Sequence, residues 1–197
     1  MASIVVAGDT SGTVTLTAPL VAGTTTLTLP TANGTVITTG SAGGVSQGML
    51  ATGVAGTGPA FSVYTNDGSG YLNNSVATKV RFNQEIFDTN NCYDTSNYRF
   101  TPNVGGFYSF TCKILNNFSP PGQLILYLYK NGGVIAELQQ TTIAQQANGF
   151  GVSYLTSANG TTDYFEIYYY QDKGGGQSIY TGAQQTYWTG HMIRGAV

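Results

Sequence analysis

The sequence predicts an all-β protein: a jelly-roll or sandwich head over residues 59–197, preceded by an extended Gly/Thr-rich β arm over residues 1–58. Three observations carry this. The 14 Tyr, 9 Phe and single Trp all fall at or after Phe61, while the first 60 residues hold one charge, Asp9, and are mostly Gly, Thr, Ala, Val and Ser. After Pro59, short runs of alternating apolar and polar residues are separated by turn clusters, the period of half-buried strands. No window shows helical periodicity long enough to bury an apolar stripe.

Within the arm, β-branched runs at 4–6, 13–17, 24–29 and 35–38 are punctuated by Gly8, Gly12, Pro19, Gly23, Pro30 and Gly34. These are strand-and-turn units with little to pack on. A stretch without large side chains cannot bury enough apolar area to offset its backbone entropy, so the arm is expected to borrow surface from a partner. Gly and Ser rise further over 39–58, where a linker or narrow trimeric neck is expected. A disordered tail is the competing reading of the same composition.

In the head, strands are expected at 61–65, 76–82, 98–100, 107–115, 123–130, 133–138, 149–157, 163–171 and 186–193. Asn131-Gly132, between the runs 124–130 and 133–137, signals a type I′ hairpin because both central residues need positive φ. Asn159-Gly160 marks a second tight turn. At 137 residues, the aromatic-rich part (61–197) is long enough to close one core.

Strand faces carry an oligomer argument. In 107–115, Tyr108, Phe110, Cys112 and Ile114 alternate with Ser109, Thr111 and Lys113, an ordinary half-buried strand. In 123–129, however, Leu124, Leu126 and Leu128 oppose Ile125, Tyr127 and Tyr129. In 164–170, Phe165, Ile167 and Tyr169 oppose Tyr164, Tyr168 and Tyr170. A sandwich buries one face of each sheet, so Tyr127, Tyr129, Tyr164, Tyr168 and Tyr170 are the candidate trimer interface. A Tyr-lined surface left in solvent is the alternative.

Composition excludes several functions. Charged residues are 8% of the chain, against roughly a quarter in ordinary soluble domains, a deficit that extensive subunit contact explains. A net charge of −2 and no Lys or Arg before Lys79 remove the electrostatic basis for binding nucleic acid. No basic n-region or long apolar run precedes the head, so neither secretion nor membrane insertion is expected. Cys112 reads as a small core residue; a Cys92–Cys112 bridge is the minor alternative.

Two resemblances rest on particular residues. The segment 14–38, with Thr-Leu-Thr-Leu-Pro and then Asn-Gly-Thr-Val, resembles low-aromatic segments of bacteriophage tail and fibre proteins. In the head, Phe82, Asp88, Tyr93, Phe100, Gly106, Tyr108 and Phe110 resemble the signature spacing of the C1q domain of the complement C1q and tumour necrosis factor superfamily. That family's last signature aromatic falls here at Cys112. The resemblance covers 61–197 and implies a C1q/TNF-like ten-stranded jelly-roll β-sandwich that assembles as a homotrimer. Joined to the arm, it implies a structural protein of a phage particle: a fibre, spike or capsid decoration, made in the host cytoplasm and displayed on the virion surface. Residues 1–58 would anchor it to other virion proteins, with the head free to contact a host-surface glycan or protein. A soluble C1q-like binding module without a virion role is the alternative.

No catalytic constellation is evident, and an enzyme is not expected. His191, the sole imidazole, sits in a strand-like run with no nucleophile elbow. One His and two separated Cys cannot complete a tetrahedral zinc site, so no cofactor is expected. Asp88, Asp94, Asp163, Glu166 and Asp172 could serve calcium, as in some members of the superfamily, though their spacing is not that of a calcium loop. Gly174-Gly175-Gly176 opens no helix and reads as a surface loop. Loops at 66–74, 116–122 and 172–180 are rich in Asn, Asp, Gln, Gly and Tyr; Asn66, Asp67, Asn117 and Tyr180 are candidate receptor contacts.

Overall fold

A computed structural model describes residues 3–7, 13–17, 58–66, 72–117, 122–142, 149–175 and 177–195. The chain divides into two compact units, Met1–Gly44 and Val45–Val197. In the first, β1 (Ser3–Ala7) and β2 (Thr13–Thr17) form an antiparallel hairpin. Its register sets Ile4 opposite Leu16 and Val6 opposite Val14, with Val5 opposite Thr15 in the intervening row. The strands expected at 24–29 and 35–38, and the neck at 39–57, lie outside the described residues.

The second unit is a sandwich of two antiparallel sheets, and no helix occurs among the described residues. Its strands are β3 (Ala60–Tyr64), β4 (Thr78–Lys79), β5 (Gln84–Asp88), β6 (Tyr93–Asp94), β7 (Arg99–Phe100), β8 (Gly106–Leu115), β9 (Gln123–Lys130), β10 (Gly133–Thr142), β11 (Gly149–Ala158), β12 (Phe165–Gln171) and β13 (Tyr187–Gly195). One sheet has the order β11-β8-β13-β3-β5; the other runs β10-β9-β12-β7-β6, with β4 also paired to β12. This is the expected jelly-roll fold class.

The alternation read from 107–115 holds: Tyr108, Phe110, Cys112 and Ile114 are buried and the intervening side chains are not. Cys92 and Cys112 are separate, buried free thiols, so the bridge alternative is set aside. Aromatic rings fill the gap between the sheets. Phe100 stacks on Phe61, Trp188 meets Phe61 edge-on at 4.9 Å between centroids, and Phe165 packs on Phe110 at 4.8 Å. Burial of each such ring contributes about 1.5–3 kcal/mol by transfer from water. Gly190 makes room for them, since a Cβ there would lie 2.5 Å from the Phe110 ring.

The signature positions have distinct jobs. Phe82, Tyr93, Phe100, Tyr108 and Phe110 are core residues. The Tyr93 hydroxyl donates to the Phe82 carbonyl at 2.9 Å, and the Tyr108 hydroxyl to the Val104 carbonyl at 2.6 Å. Asp88 accepts the amides of Asn90 (3.3 Å) and Tyr93 (2.7 Å), shaping the turn in which Asn91 has φ +52°. Gly106 lets β8 approach β13, because a Cβ would run into the Arg194 carbonyl. Asn131 and Gly132 both take positive φ, 54° and 81°, as the hairpin signal requires.

Departures from expectation cluster in 76–94. The strand expected at 76–82 shrinks to the two residues of β4, with Val80 and Phe82 buried beyond it. Strands β5 and β6 carried no pattern: β5 is an edge strand whose side chains are mostly exposed and whose pairing to β3 is bulged between Ser62 and Val63. Strand β10 continues to Thr142 because its whole length pairs with β9.

Candidate functional site: two sheet faces and a loop end

Alternation along β9 and β12 places Tyr127, Tyr129, Tyr168 and Tyr170 on the outer face of the six-stranded sheet, with Tyr164 just before β12 and Tyr169 turned into the core. Pairing sets Tyr168 opposite Tyr127 and Glu166 opposite Tyr129. Tyr127, Tyr129, Tyr164, Tyr168 and Tyr170 are each half-buried in the single chain, where they cover one another. The Tyr129 and Tyr168 rings stack at 4.0 Å between centroids, and Tyr127 meets Tyr129 edge-on at 6.4 Å. Beneath them Glu166, 3% exposed, bonds Lys79 at 2.6 Å and Arg99 at 3.4 Å. The Arg99 guanidinium also lies 4.3 Å from the Tyr164 ring centroid. Burial, then the Glu166 charge, pushes the Tyr168 phenol up. Burial and Glu137 do the same to Tyr127, so both hydroxyls remain neutral donors near pH 7. Composition gave no sign of Glu166 as the keel of this face; its place between Lys79 and Arg99 needs the fold.

The outer face of the five-stranded sheet is different. Of the large hydrophobic side chains left exposed, Ile86, Phe87, Phe107, Leu155 and Ile193 belong to this sheet, and Val76 and Val134 lie elsewhere. Ile86 and Phe87 lie on edge strand β5, Leu155 on the opposite edge strand β11, Phe107 on the neighbouring β8, and Ile193 on the central strand β13. Between them the face carries small polar residues, including Ser109, Thr111, Thr189 and Ser153. Thr111 and Ser153 share a hydrogen bond of 3.0 Å. His191 is exposed here; Ser109 and Ala60 flank it in register, and neither neighbouring position is a carboxylate.

Three loops meet at one end of the sandwich. Leu72 bridges to Gln177, Asn116 bridges to Ile179, and the Asn117 amide donates to the Ser178 carbonyl at 3.0 Å. Buried Gln171 ties the end together: its Nε2 donates to the Leu72 and Gly174 carbonyls, both at 3.2 Å, and its Oε1 accepts the Lys173 amide at 2.6 Å. Of the candidate receptor contacts, Asn66 and Asn117 are exposed, Tyr180 is half-buried, and Asp67 lies outside the described residues. The Asn66 amide donates to Asn83 Oδ1 at 3.0 Å, and the Tyr180 amide to the Leu115 carbonyl at 2.8 Å.

Among the described residues, no three His, Cys, Asp or Glu side chains converge. The five candidate calcium carboxylates are dispersed and engaged. Asp88 and Asp94 cap turns, Asp163 pairs with Lys130 at 2.8 Å, Glu166 holds Lys79 and Arg99, and Asp172 accepts the Gln123 amide at 2.6 Å.

The C1q domain model matches residues 60–193. A Bacillus subtilis (strain 168) protein described as "Uncharacterized protein YqcC" is 30% identical over an alignment of 115 residues that covers 55% of this chain and 31% of that protein. The chain thus spans under a third of that relative's length. Among solved structures, the globular domain of zebrafish complement 1qA aligns with TM-score 0.48 and 20% identity, over 71% of this chain and 99% of that one. Murine APRIL aligns with TM-score 0.49 and 9% identity, over 68% and 98%.

Proposed function

Since the chain belongs to the C1q domain family, we propose that it is a non-enzymatic display module: a homotrimer whose heads associate through the five-stranded sheet and whose arm attaches it to a bacteriophage particle. The observation that carries the self-association is the concentration of exposed apolar side chains on one sheet, with Ile86 and Phe87 on one edge strand, Leu155 on the other, and Phe107 and Ile193 between them. Edge residues Ile86 and Phe87 of one subunit, set against Phe107 and Leu155 of the next, make a head-to-tail contact that closes into a ring. The 8% charge content supports the same reading.

The tyrosine face of β9 and β12 is the competing contact surface. Pairing Phe107→Ser with Leu155→Ser, and separately Tyr127→Ser with Tyr170→Ser, distinguishes them by which pair lowers the mass in solution. Loss of association only in the tyrosine pair would move the interface to the six-stranded sheet.

The virion role rests on the phage-like composition of 14–38 and on an arm too poor in bulky residues to stand alone. Immunogold labelling of phage particles from the source strain should decorate them. Deleting residues 2–40 should abolish that labelling while leaving the head folded. Unlabelled particles would instead leave a soluble binding module, with the apical loops around Asn66, Asn117 and Tyr180 as its contact surface.

A further inference from the structure

Asparagine converts to aspartate most readily when glycine follows it, because glycine has no Cβ to shield its nitrogen. The Gly nitrogen loses its proton and attacks the Asn Cγ; the bond from Cγ to Nδ2 breaks and that nitrogen leaves as ammonia. Water then opens the cyclic imide to aspartate or isoaspartate. Asn131-Gly132 and Asn159-Gly160 are such pairs, and both asparagines are exposed to solvent.

Both side chains are tied down, by different means. Asn131 Nδ2 donates to Asp163 Oδ1 at 2.8 Å, and Asn131 Oδ1 accepts the Tyr164 amide at 2.9 Å. The Tyr164 N–H can only donate, which fixes which end of the Asn131 amide is the oxygen. Asn159 Oδ1 accepts the amides of Thr161, Thr162 and Asp163 at 2.9, 3.0 and 3.0 Å, and its Nδ2 donates to Thr162 Oγ1 at 2.8 Å. The Asp163 carboxylate is buried and held in turn: its Oδ2 accepts the Asn159 amide at 2.9 Å and pairs with Lys130 Nζ at 2.8 Å. Lys130 also donates to the Ser157 carbonyl at 2.9 Å, so the ammonium is fixed from both sides.

We propose that Asn131 is a latent deamidation site that the Asp163 carboxylate keeps closed. For the Gly132 nitrogen to reach Cγ, the Asn131 side chain must rotate, and that rotation breaks its bonds to Asp163 and Tyr164 together. Asn159 differs: backbone amides hold its oxygen, and the Asp163 carboxylate touches only its backbone N–H, so it stays closed without that carboxylate. Conversion of Asn131 is one-way. It replaces the Nδ2 donor facing Asp163 with a second carboxylate, setting like charges at hydrogen-bond distance beside the hairpin that joins β9 to β10. A head that has been left unfolded therefore returns with this turn weakened.

The test is peptide mapping of the full chain, with aspartate and isoaspartate separated from asparagine, after incubation in mildly alkaline buffer with and without urea; circular dichroism follows the fold. Folded wild type should keep both amides over a period in which the urea-unfolded chain converts both. Folded Asp163→Ala should convert Asn131 about tenfold to a hundredfold faster than wild type, the factor by which losing one hydrogen bond to a charged group raises the released population, and should leave Asn159 intact. The milder Asp163→Asn, with one acceptor oxygen for three donors, should give a smaller acceleration at the same residue. Conversion of Asn131 in folded wild type at the unfolded rate would overturn the protection. Equal Asn131 rates in wild type and the folded variants would overturn the role of Asp163, and so would equal conversion of Asn131 and Asn159 in the variants, which would assign the effect to global unfolding.

Discussion

Phe61 of β3 and Phe100 of β7 stack across the sandwich with ring centroids 4.3 Å apart and planes 24° from parallel, joining the two sheets at the centre of the core. Both are fully buried, and Phe61 also touches Tyr93, Phe110 and Trp188. Replacing Phe100 with Ala removes one ring of this stack and leaves a cavity the neighbours fill only in part. Urea unfolding should show a loss of about 3–5 kcal/mol, as for other large aromatic truncations. A loss near zero would mean the two sheets are held together elsewhere.

Gly190 is the converse case, a residue present because nothing larger fits. A Cβ there would lie 2.5 Å from the Phe110 ring and 2.6 Å from the Phe61 ring. Gly190→Val should cost about 1–3 kcal/mol or more through overpacking, read as a lowered thermal midpoint. Val at the open position Gly151, where a Cβ meets nothing within 4 Å, should be tolerated.

Sequence pattern exposed those parts of the fold where a single strand's own alternation decides its orientation. Tyr108 to Ile114 read correctly because every second residue is apolar and those between them are polar. The Asn131-Gly132 turn read correctly because its backbone demands particular residues. Strand β5 was invisible, since Gln84-Glu85-Ile86-Phe87-Asp88 has no alternation and pairs on one side only. The faces were harder still. The tyrosines of β9 and β12 stood out by type, but their mutual stacking and the keel formed by Glu166 depend on cross-strand register. The exposure of Phe107, Leu155 and Ile193 depends on which strands become neighbours, which no local pattern encodes.

Acid should weaken the head partly through Asp163. Burial alone would raise its carboxyl, but hydrogen bonds from Lys130, Asn131 and the Asn159 amide prevail and hold it below the ordinary carboxylate range. A carboxyl with a lowered folded-state value stabilises fully above its unfolded value and loses that contribution as pH falls through the folded one. Asp163→Asn should therefore be less stable than wild type at neutral pH, with the gap closing as pH falls below the ordinary carboxylate range. A gap that stays constant across the acid range would show that the Lys130 pairing contributes nothing.

Both thiols should be inert in the folded protein. Burial pushes the Cys112 thiol far up, and burial also raises that of Cys92. Because the thiolate is the reactive form, a thiol reagent at pH 8 should label neither residue until denaturant is added. Fast labelling of Cys112 in the native protein would contradict the packing between β8 and the facing sheet.

The association state of the full chain tests the central claim most directly. Sedimentation equilibrium at neutral pH and tens of micromolar protein should return the mass of three 20.7 kDa chains. A single-chain mass at that concentration would contradict the assignment of the five-stranded sheet as a subunit interface.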